Sequence, residues 1–199
     1  MGDPRRLRKK YSGPNHPWNK ARIEEEAILT NEYGLKNKRE IWKINSKLKN
    51  FKDQVKRLSA MRTAQAEKER NALVSKMRNI GLLSQTSTLG DVLSMSTKDL
   101  MERRLQTLVY KRGLAHSMKQ ARQFIVHRHI SIGDKKVISP AYIVRVEEEN
   151  SILFSGNSPL KNEDHPERAV VERKPKKERP PQDKSRRPRD KRRPRRENK

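Results

Sequence analysis

The sequence predicts an α+β fold that is mainly helical: an N-terminal helical bundle, then a compact module of two helices and a small antiparallel or mixed sheet. Apolar residues recur at three- and four-residue steps along residues 37–60, which is the period of a helix. Two shorter helical patterns and three β-prone runs follow over residues 102–146. Both ends of the chain are rich in cations and poor in apolar residues, which predicts disordered basic termini.

Composition limits the possible partners. Of the 199 residues, 31% are hydrophobic and 37% are charged, so only part of the chain can form a packed core. The formal net charge of +25 favours a polyanionic partner. There is no cysteine, which excludes a disulfide framework and a thiolate zinc site and favours an intracellular location. No apolar run approaches the ~20 residues of a membrane span, and the basic N-terminus lacks the apolar segment of a secretory signal. We therefore expect no membrane partner.

Shifts in composition predict four segments. Residues 1–19 form a basic RNA-binding arm, residues 20–101 a helical domain, residues 102–155 the module, and residues 156–199 a polar linker with a disordered Pro/Arg/Lys-rich tail. The cations of the arm, which can meet phosphates, are Arg5, Arg6, Arg8, Lys9 and Lys10. Trp18 ends the arm, and two interpretations stay open: it stacks on an unpaired base, or it is buried against the following helix.

Three helices and a short helical turn at about residues 88–93 are predicted in the helical domain. The first covers residues 20–33, with Asn19 as its cap and Gly34 just past its end. The second runs from Asn37 to about residue 60, and the third covers residues 64–80 before Gly81. The second helix carries an apolar stripe of Ile41, Ile44, Leu48, Phe51, Val55 and Leu58. Its opposite face carries Lys43, Lys47, Lys49, Lys52, Lys56 and Arg57. That face is either a solvated surface or an RNA contact.

The module begins with two short helices. Leu105, Leu108 and Val109 form the apolar stripe of the first helix, and Gly113 suits its end because glycine tolerates φ > 0. Ser117 with Gln120 three residues later predicts a capping box that starts the second helix. This helix should bury Met118, Ala121, Phe124 and Ile125 and expose Lys119, Arg122 and Gln123.

Three strands are expected after these helices. They cover residues 130–132, 136–138 and 142–146, with Gly133-Asp134 and Ser139-Pro140 between them. Residues 152–154 either add one more strand or fold back on the helical part. The module is expected to pack against the helical domain, because Leu100 and Met101 are apolar residues at the junction.

Residues 102–146 resemble the small helix–turn–helix RNA-binding module first known from the fourth protein of the small ribosomal subunit. The matching elements are Arg104-Leu105, residues 111–115, Ser117, residues 121–126 and Gly133. Many relatives place a glycine where His129 stands. A wider resemblance, to the archaeal and eukaryotic-type family of that ribosomal protein, spans roughly residues 1–155. It is carried by residues 4–10, Pro17-Trp18, residues 31–35, the start at residues 37–40, residues 88–93 and residues 102–110.

The wider resemblance implies a structural protein that binds small-subunit ribosomal RNA directly and early in assembly, at a multi-helix junction. It implies a place near the mRNA entry side, an influence on decoding accuracy, neighbouring small-subunit ribosomal proteins as partners, and mRNA as a further partner at the entry channel. The implied location is the cytoplasmic ribosome. Neither a cofactor nor a small-molecule substrate is implied.

The cations of the module are the predicted rRNA contacts, because structured RNA is recognised through phosphates, 2′-hydroxyls and shape. The predicted contacts in the module are Arg103, Arg104, Lys111, Arg112, Lys119, Arg122, His127, Arg128 and His129. Trp18 and the cations of the arm complete the set. A structural role for Arg112 also stays open, because it extends the apolar stripe. Two histidines at i and i+2 without a carboxylate pair make a poor metal site, so no metal is expected.

Three other functions compete with this one. The same module is appended to pseudouridine synthases and some tRNA synthetases, but the roughly 100 residues before it show neither a Gly-rich phosphate loop nor clustered acid–base groups. Glu24, Glu25 and Glu26 instead suit the dipole of an early helix turn. We therefore predict no catalytic residues and no enzyme. A general basic scaffold is disfavoured by the specific module. An RNA-binding translation or ribosome-associated accessory factor stays the alternative.

Overall fold

The computed structural model describes Lys9, residues 11–162 and residues 165–168. The predicted RNA contacts Arg5, Arg6, Arg8 and Lys10 and the predicted tail at residues 172–199 lie outside the described residues. The helices are α1 Lys20–Glu32, α2 Lys38–Ala60, α3 Ala64–Ile80, α4 Asp91–Ser94, α5 Thr97–Glu102, α6 Leu105–Lys111, α7 Met118–Val126 and α8 Val146–Glu149, with a 3-10 helix at Pro159–Lys161. The strands are β1 Ile130–Ile132, β2 Lys135–Lys136 and β3 Ile152–Phe154. This confirms the predicted mainly helical α+β fold.

A first core forms around α2. The stripe predicted from the sequence buries five of its six residues, and Phe51 is half-buried. Helices α1, α3, α4 and α5 pack against α2 and close this core. Asn19 caps α1 and Gly81 ends α3 in the left-handed region, both as predicted. Helix α5 was not predicted, although Ser96 and Asp99 form the capping box that starts it.

A second core lies between α6, α7 and the sheet. The strand order is β2-β1-β3, and both pairings are antiparallel, with Ser131 opposite Lys136 on one side and Leu153 on the other. The third strand is therefore residues 152–154, one of the two placements open for that segment. None of the helices in the described part of the chain is long and apolar enough to cross a membrane.

The prediction of a strand at residues 142–146 is wrong. Ile143 makes only an isolated bridge with Arg104, and the Val144 amide donates to the Arg103 carbonyl at 3.0 Å. The chain then turns into α8 at Val146. These residues pair with the segment that precedes α6 and do not extend the sheet, and Ile143 packs against the core of the helical domain.

Candidate nucleic-acid interface

Helices α6 and α7 form a plate whose ends are fixed by local chemistry. Gly113 follows α6 with φ +72°, as predicted for a helix end. The Ser117 hydroxyl accepts a hydrogen bond from the Gln120 backbone amide at 3.1 Å, which confirms the predicted cap. The Gln120 side chain accepts from the His116 amide at 2.8 Å, one residue before the amide that a capping box would use. The plate is thus held by caps at the turn between its helices.

The predicted faces of α7 are confirmed except at Arg122, which was expected to be exposed and is only 23% exposed. Ala121, Phe124 and Ile125 are buried and Met118 is half-buried, while Lys119 is exposed. Lys119 lies in the first turn of α7, where exposed backbone N–H groups and the helix dipole also attract anions. This end of α7 therefore combines a side-chain cation with a favourable backbone field.

Four predicted contacts are exposed cations of the module: Lys111, Arg112, Lys119 and Arg128. Lys111 lies 3.2 Å from Glu102, but both side chains are about half exposed, so this ion pair is weak. Arg112 donates to Asn150 at 3.1 Å through one guanidinium nitrogen and keeps further donors for a ligand. With the described residues, neither Lys119 nor Arg128 forms an ion pair. All four can meet a phosphate without breaking the fold.

Arg104 was predicted to contact RNA at the surface, but it lies in the interior of the protein. Its side chain is 1% exposed, and its guanidinium is paired with Glu40 of α2. A phosphate cannot reach Arg104 in this fold, so its assignment as an RNA contact is corrected to a structural role. Arg122 joins the same carboxylate at 2.7 Å from the other side and is 23% exposed. Glu40 thus holds one arginine from the start of α6 and one from α7.

Arg103 is also engaged within the protein. Its Nε donates to the Ile80 carbonyl at 2.7 Å, and its Nη1 pairs with Glu149 at 2.9 Å. The side chain is 15% exposed, so it ties the end of α3 to α8. As RNA contacts, Arg103 and Arg122 stay predictions, since each keeps part of its guanidinium at the surface.

Sequence reasoning missed the role of Glu40. Its position three residues after Asn37 suggested a helix start, yet the Asn37 side chain makes no cap hydrogen bond. Burial alone would raise the pKa of Glu40, but hydrogen bonds from Arg122 and Arg104 outweigh burial and hold the pKa below its ordinary value. Glu40 is therefore a carboxylate that stays ionised between two cations and joins the helical domain to the module.

Gln106 is a second joining residue that the sequence did not reveal. It is 1% exposed, and its amide donates to the carbonyl oxygens of Tyr33 at 3.1 Å and Met118 at 2.8 Å. Gly34 approaches Met118 so closely that a Cβ at Gly34 would lie 3.0 Å from the Met118 Cβ. Together these contacts confirm that the module packs against the helical domain.

The two histidines have separate environments. His127 is exposed, whereas His129 is partly buried and its Nδ1 lies 2.9 Å from the Ser158 hydroxyl. Burial, with smaller contributions from His127 and His165, lowers the pKa of His129. Across the described residues, no group of three or more His, Cys, Asp or Glu side chains is placed to hold a metal ion. His127 is the more accessible of the two for RNA.

The tryptophan that packs against α1 is the half-buried Trp42, not Trp18. The Trp42 indole donates to Glu26 at 3.0 Å, and Arg22 pairs with the same carboxylate at 2.8 Å. Glu26 is 5% exposed, so its role is to accept these contacts rather than to meet the helix dipole. Trp18 is 90% exposed, which rules out the burial interpretation and leaves stacking on a base. Lys9 is exposed as well. The described part of the arm thus offers one cation and one free aromatic ring.

Arg128 lies in an unusual backbone conformation. Its φ is +66°, and it is the one non-glycine residue with positive φ in the described part of the chain. The His129 amide donates to the Phe124 carbonyl at 2.9 Å, so Arg128 occupies the left-handed position after α7 that glycine commonly fills. An exposed arginine is kept here at a conformational cost of about 1–2 kcal/mol.

Replacing Arg128 with Gly is expected to raise stability and lower RNA affinity together. Relief of the left-handed strain exceeds the extra freedom that glycine gives the unfolded chain, so the free energy of unfolding should rise by up to about 1 kcal/mol. Losing one phosphate contact should reduce the slope of log affinity against log salt by about 0.7–0.9. Urea unfolding and a salt titration of RNA binding measure both. Arg128→Ala is the matched control: it should lose the same affinity without gaining stability, and equal stability of the two variants would contradict the strain.

A capped, basic helix–turn–helix plate with exposed cations defines the class of small RNA-binding modules. The S4 domain family model matches residues 103–150. Over 169 residues the chain is 50% identical to small ribosomal subunit protein uS4 of Methanococcus aeolicus, covering 84% of this chain and 96% of that protein. It is 48% identical over 172 residues to uS4 of Methanococcus maripaludis, covering 86% and 97%. The chain belongs to the uS4 family of small ribosomal subunit proteins.

Proposed function

We propose that this protein is a structural component of the small ribosomal subunit that binds small-subunit ribosomal RNA directly. The observation that carries the proposal is the row of exposed cations on the rigid plate of its S4 domain. Membership of the uS4 family, along nearly the full length of the relatives, identifies the polyanion as ribosomal RNA. The role is structural rather than catalytic.

Recognition relies on the geometry of phosphates. The major groove of an A-form helix is too deep and narrow for side chains, so a protein reads backbone positions, 2′-hydroxyls and the shape of junctions. A plate fixed by caps and tied to α2 through Glu40 holds Lys111, Lys119 and Arg128 at set distances from one another. Such spacing favours one arrangement of phosphates over others.

Of the finer assignments, binding at a multi-helix junction is the one that the same rigidity supports. The module and the helical domain are joined by Glu40, Gln106 and the hydrogen bond from Arg103 to the Ile80 carbonyl, so both can be held against RNA as one surface. A surface of that kind suits a multi-helix junction, where several strands converge, and early binding would fix their arrangement. A place near the mRNA entry side, contacts with neighbouring ribosomal proteins and with mRNA, an influence on decoding accuracy and a cytoplasmic location are further parts of the proposal.

A salt titration against two RNAs tests the proposal. The targets are a junction from the 5′ domain of small-subunit ribosomal RNA and an unrelated duplex of equal length. The two RNAs carry the same charge, and salt weakens the charge-dependent part of binding to both. If the protein reads RNA shape, the junction should therefore bind much more tightly than the duplex at high salt, both with the full chain and with a chain that ends at residue 171. Equal weakening on both targets, or a preference that disappears with residues 172–199, would show a polycation that does not read RNA shape.

A further inference from the structure

A groove of about 520 Å³ lies where α2 and α3 meet the segment that precedes α8. Its cationic lining comes from three separate elements: Lys47 on α2, Lys76 on α3 and Arg145 before α8. Among the described residues that line it, none carries a carboxylate. A concave surface with one sign of charge concentrates anions, so the groove is suited to a phosphate-bearing ligand.

Two aromatic rings line the same groove. Phe51 is half-buried on α2, and the Lys76 ammonium lies 5.6 Å from the centre of its ring. Tyr142 is half-buried on the segment that precedes α8, and its hydroxyl donates to Glu148 at 2.9 Å, which fixes the position of the ring. The groove therefore offers aromatic faces next to cations, which is how proteins hold single-stranded nucleic acid.

The volume of the groove agrees with one small organic ligand. Sites for such ligands are typically about 300–1,000 Å³ and combine apolar walls with a few polar groups. Ile80 and Ile143 add apolar side chains to the lining of the groove. An unpaired nucleotide has the same composition, a flat base for the apolar walls and a phosphate for the cations.

We infer that this groove binds an unpaired nucleotide of the RNA, with the base against Phe51 or Tyr142 and flanking phosphates on Lys47, Lys76 and Arg145. The inference rests on the proposed function and adds a site outside the predicted contacts of the module. Because the groove takes residues from α2, α3 and the segment before α8, it exists only while the module is packed on the helical domain. RNA bound there stabilises that packing.

Binding of hexauridylate by the full chain tests the groove. The variant Lys47→Gln/Lys76→Gln/Arg145→Gln should bind it about tenfold more weakly and with a salt slope lower by about 2, at roughly 0.7 per lost contact on a single strand. The matched control, Lys68→Gln/Lys135→Gln/Arg62→Gln, removes the same charge from exposed positions that do not line the groove. Equal losses in both variants would overturn the inference.

Stacking has its own test. Phe51→Leu keeps an apolar side chain of similar volume but removes the aromatic face, so it should weaken hexauridylate binding about fivefold or more with little change in the melting temperature. Binding of an RNA duplex with the same number of phosphates should stay unchanged. An abasic strand should bind the unaltered protein more weakly than hexauridylate. Equal binding of the two strands would reduce the groove to a site for any polyanion, including an acidic peptide, and would overturn the inference.

The two proposals fail in different ways. If the unaltered protein prefers the ribosomal junction over a duplex and the groove variant behaves like its control, only the assignment of the groove is wrong. If the junction has no advantage, the proposed function is wrong whatever the groove binds.

Discussion

Replacing Glu40 with Ala is expected to lower the free energy of unfolding by about 3–5 kcal/mol, the usual result of removing one partner from a buried ion pair. The cause is Arg104, which is 1% exposed and would keep its charge in the protein interior without a counterion. Arg122 would lose the same partner, although its partial exposure to water softens the effect. Urea unfolding followed by circular dichroism measures the change.

Glu24→Ala is the control for Glu40→Ala. Glu24 is exposed and lies 3.9 Å from an exposed Lys20, so its removal should change stability by less than about 0.5 kcal/mol. Glu40→Ala should also weaken RNA binding, because Arg122 and the plate lose their fixed position relative to α2. A Glu40 variant as stable as the Glu24 variant would show that the two arginines find other partners.

The same carboxylate predicts how stability depends on pH. The pKa of Glu40 is lower in the folded than in the unfolded chain, so its ionised form adds stability above the unfolded value. That contribution should be lost as the pH falls below about 4. The Glu40→Ala variant lacks the group, so its stability should fall less steeply over this range than that of the unaltered protein.

Periodicity and caps allowed much of the fold to be predicted from the sequence. The stripe that begins at Ile41 and the stop at Gly81 depend on residues close together in the chain, and the helices they predict are present. The strand predicted at residues 142–146 failed because its backbone groups pair with residues far earlier in the sequence, at Arg103 and Arg104. Local β propensity carries no information about such a partner.

The solvent exposure of each cation is the property of the site that could not be predicted from the sequence. Arg103 and Arg104 are adjacent and chemically alike, yet one keeps part of its side chain at the surface and the other is in the interior beside Glu40. The partner that separates them lies more than 60 residues away in the chain. The same holds for the tryptophans, because only the packing of α1 on α2 decides that Trp42, and not Trp18, contacts α1. A basic sequence identifies the kind of partner, but the tertiary fold selects the cations that meet it.

Ala121→Lys is expected to unfold the module. Ala121 is 0% exposed and belongs to the second core between α6, α7 and the sheet. A lysine there would be overpacked and would leave a buried ammonium without a counterion, so the free energy of unfolding should fall by at least about 4 kcal/mol. Thermal melting measures the loss of structure, and RNA binding should be lost with it.

Lys119→Ala, two residues earlier on the same helix, is the matched control and should weaken RNA binding without unfolding the module. Lys119 is exposed, so its removal should leave the melting temperature nearly unchanged. One lost phosphate contact should lower the salt slope of RNA binding by about 0.7–0.9. Similar melting curves for Ala121→Lys and Lys119→Ala would contradict the assignment of a core face and an RNA face to α7. Distinct melting curves with weakened binding in both would show that the cations of α7 act on RNA only when its apolar face is packed.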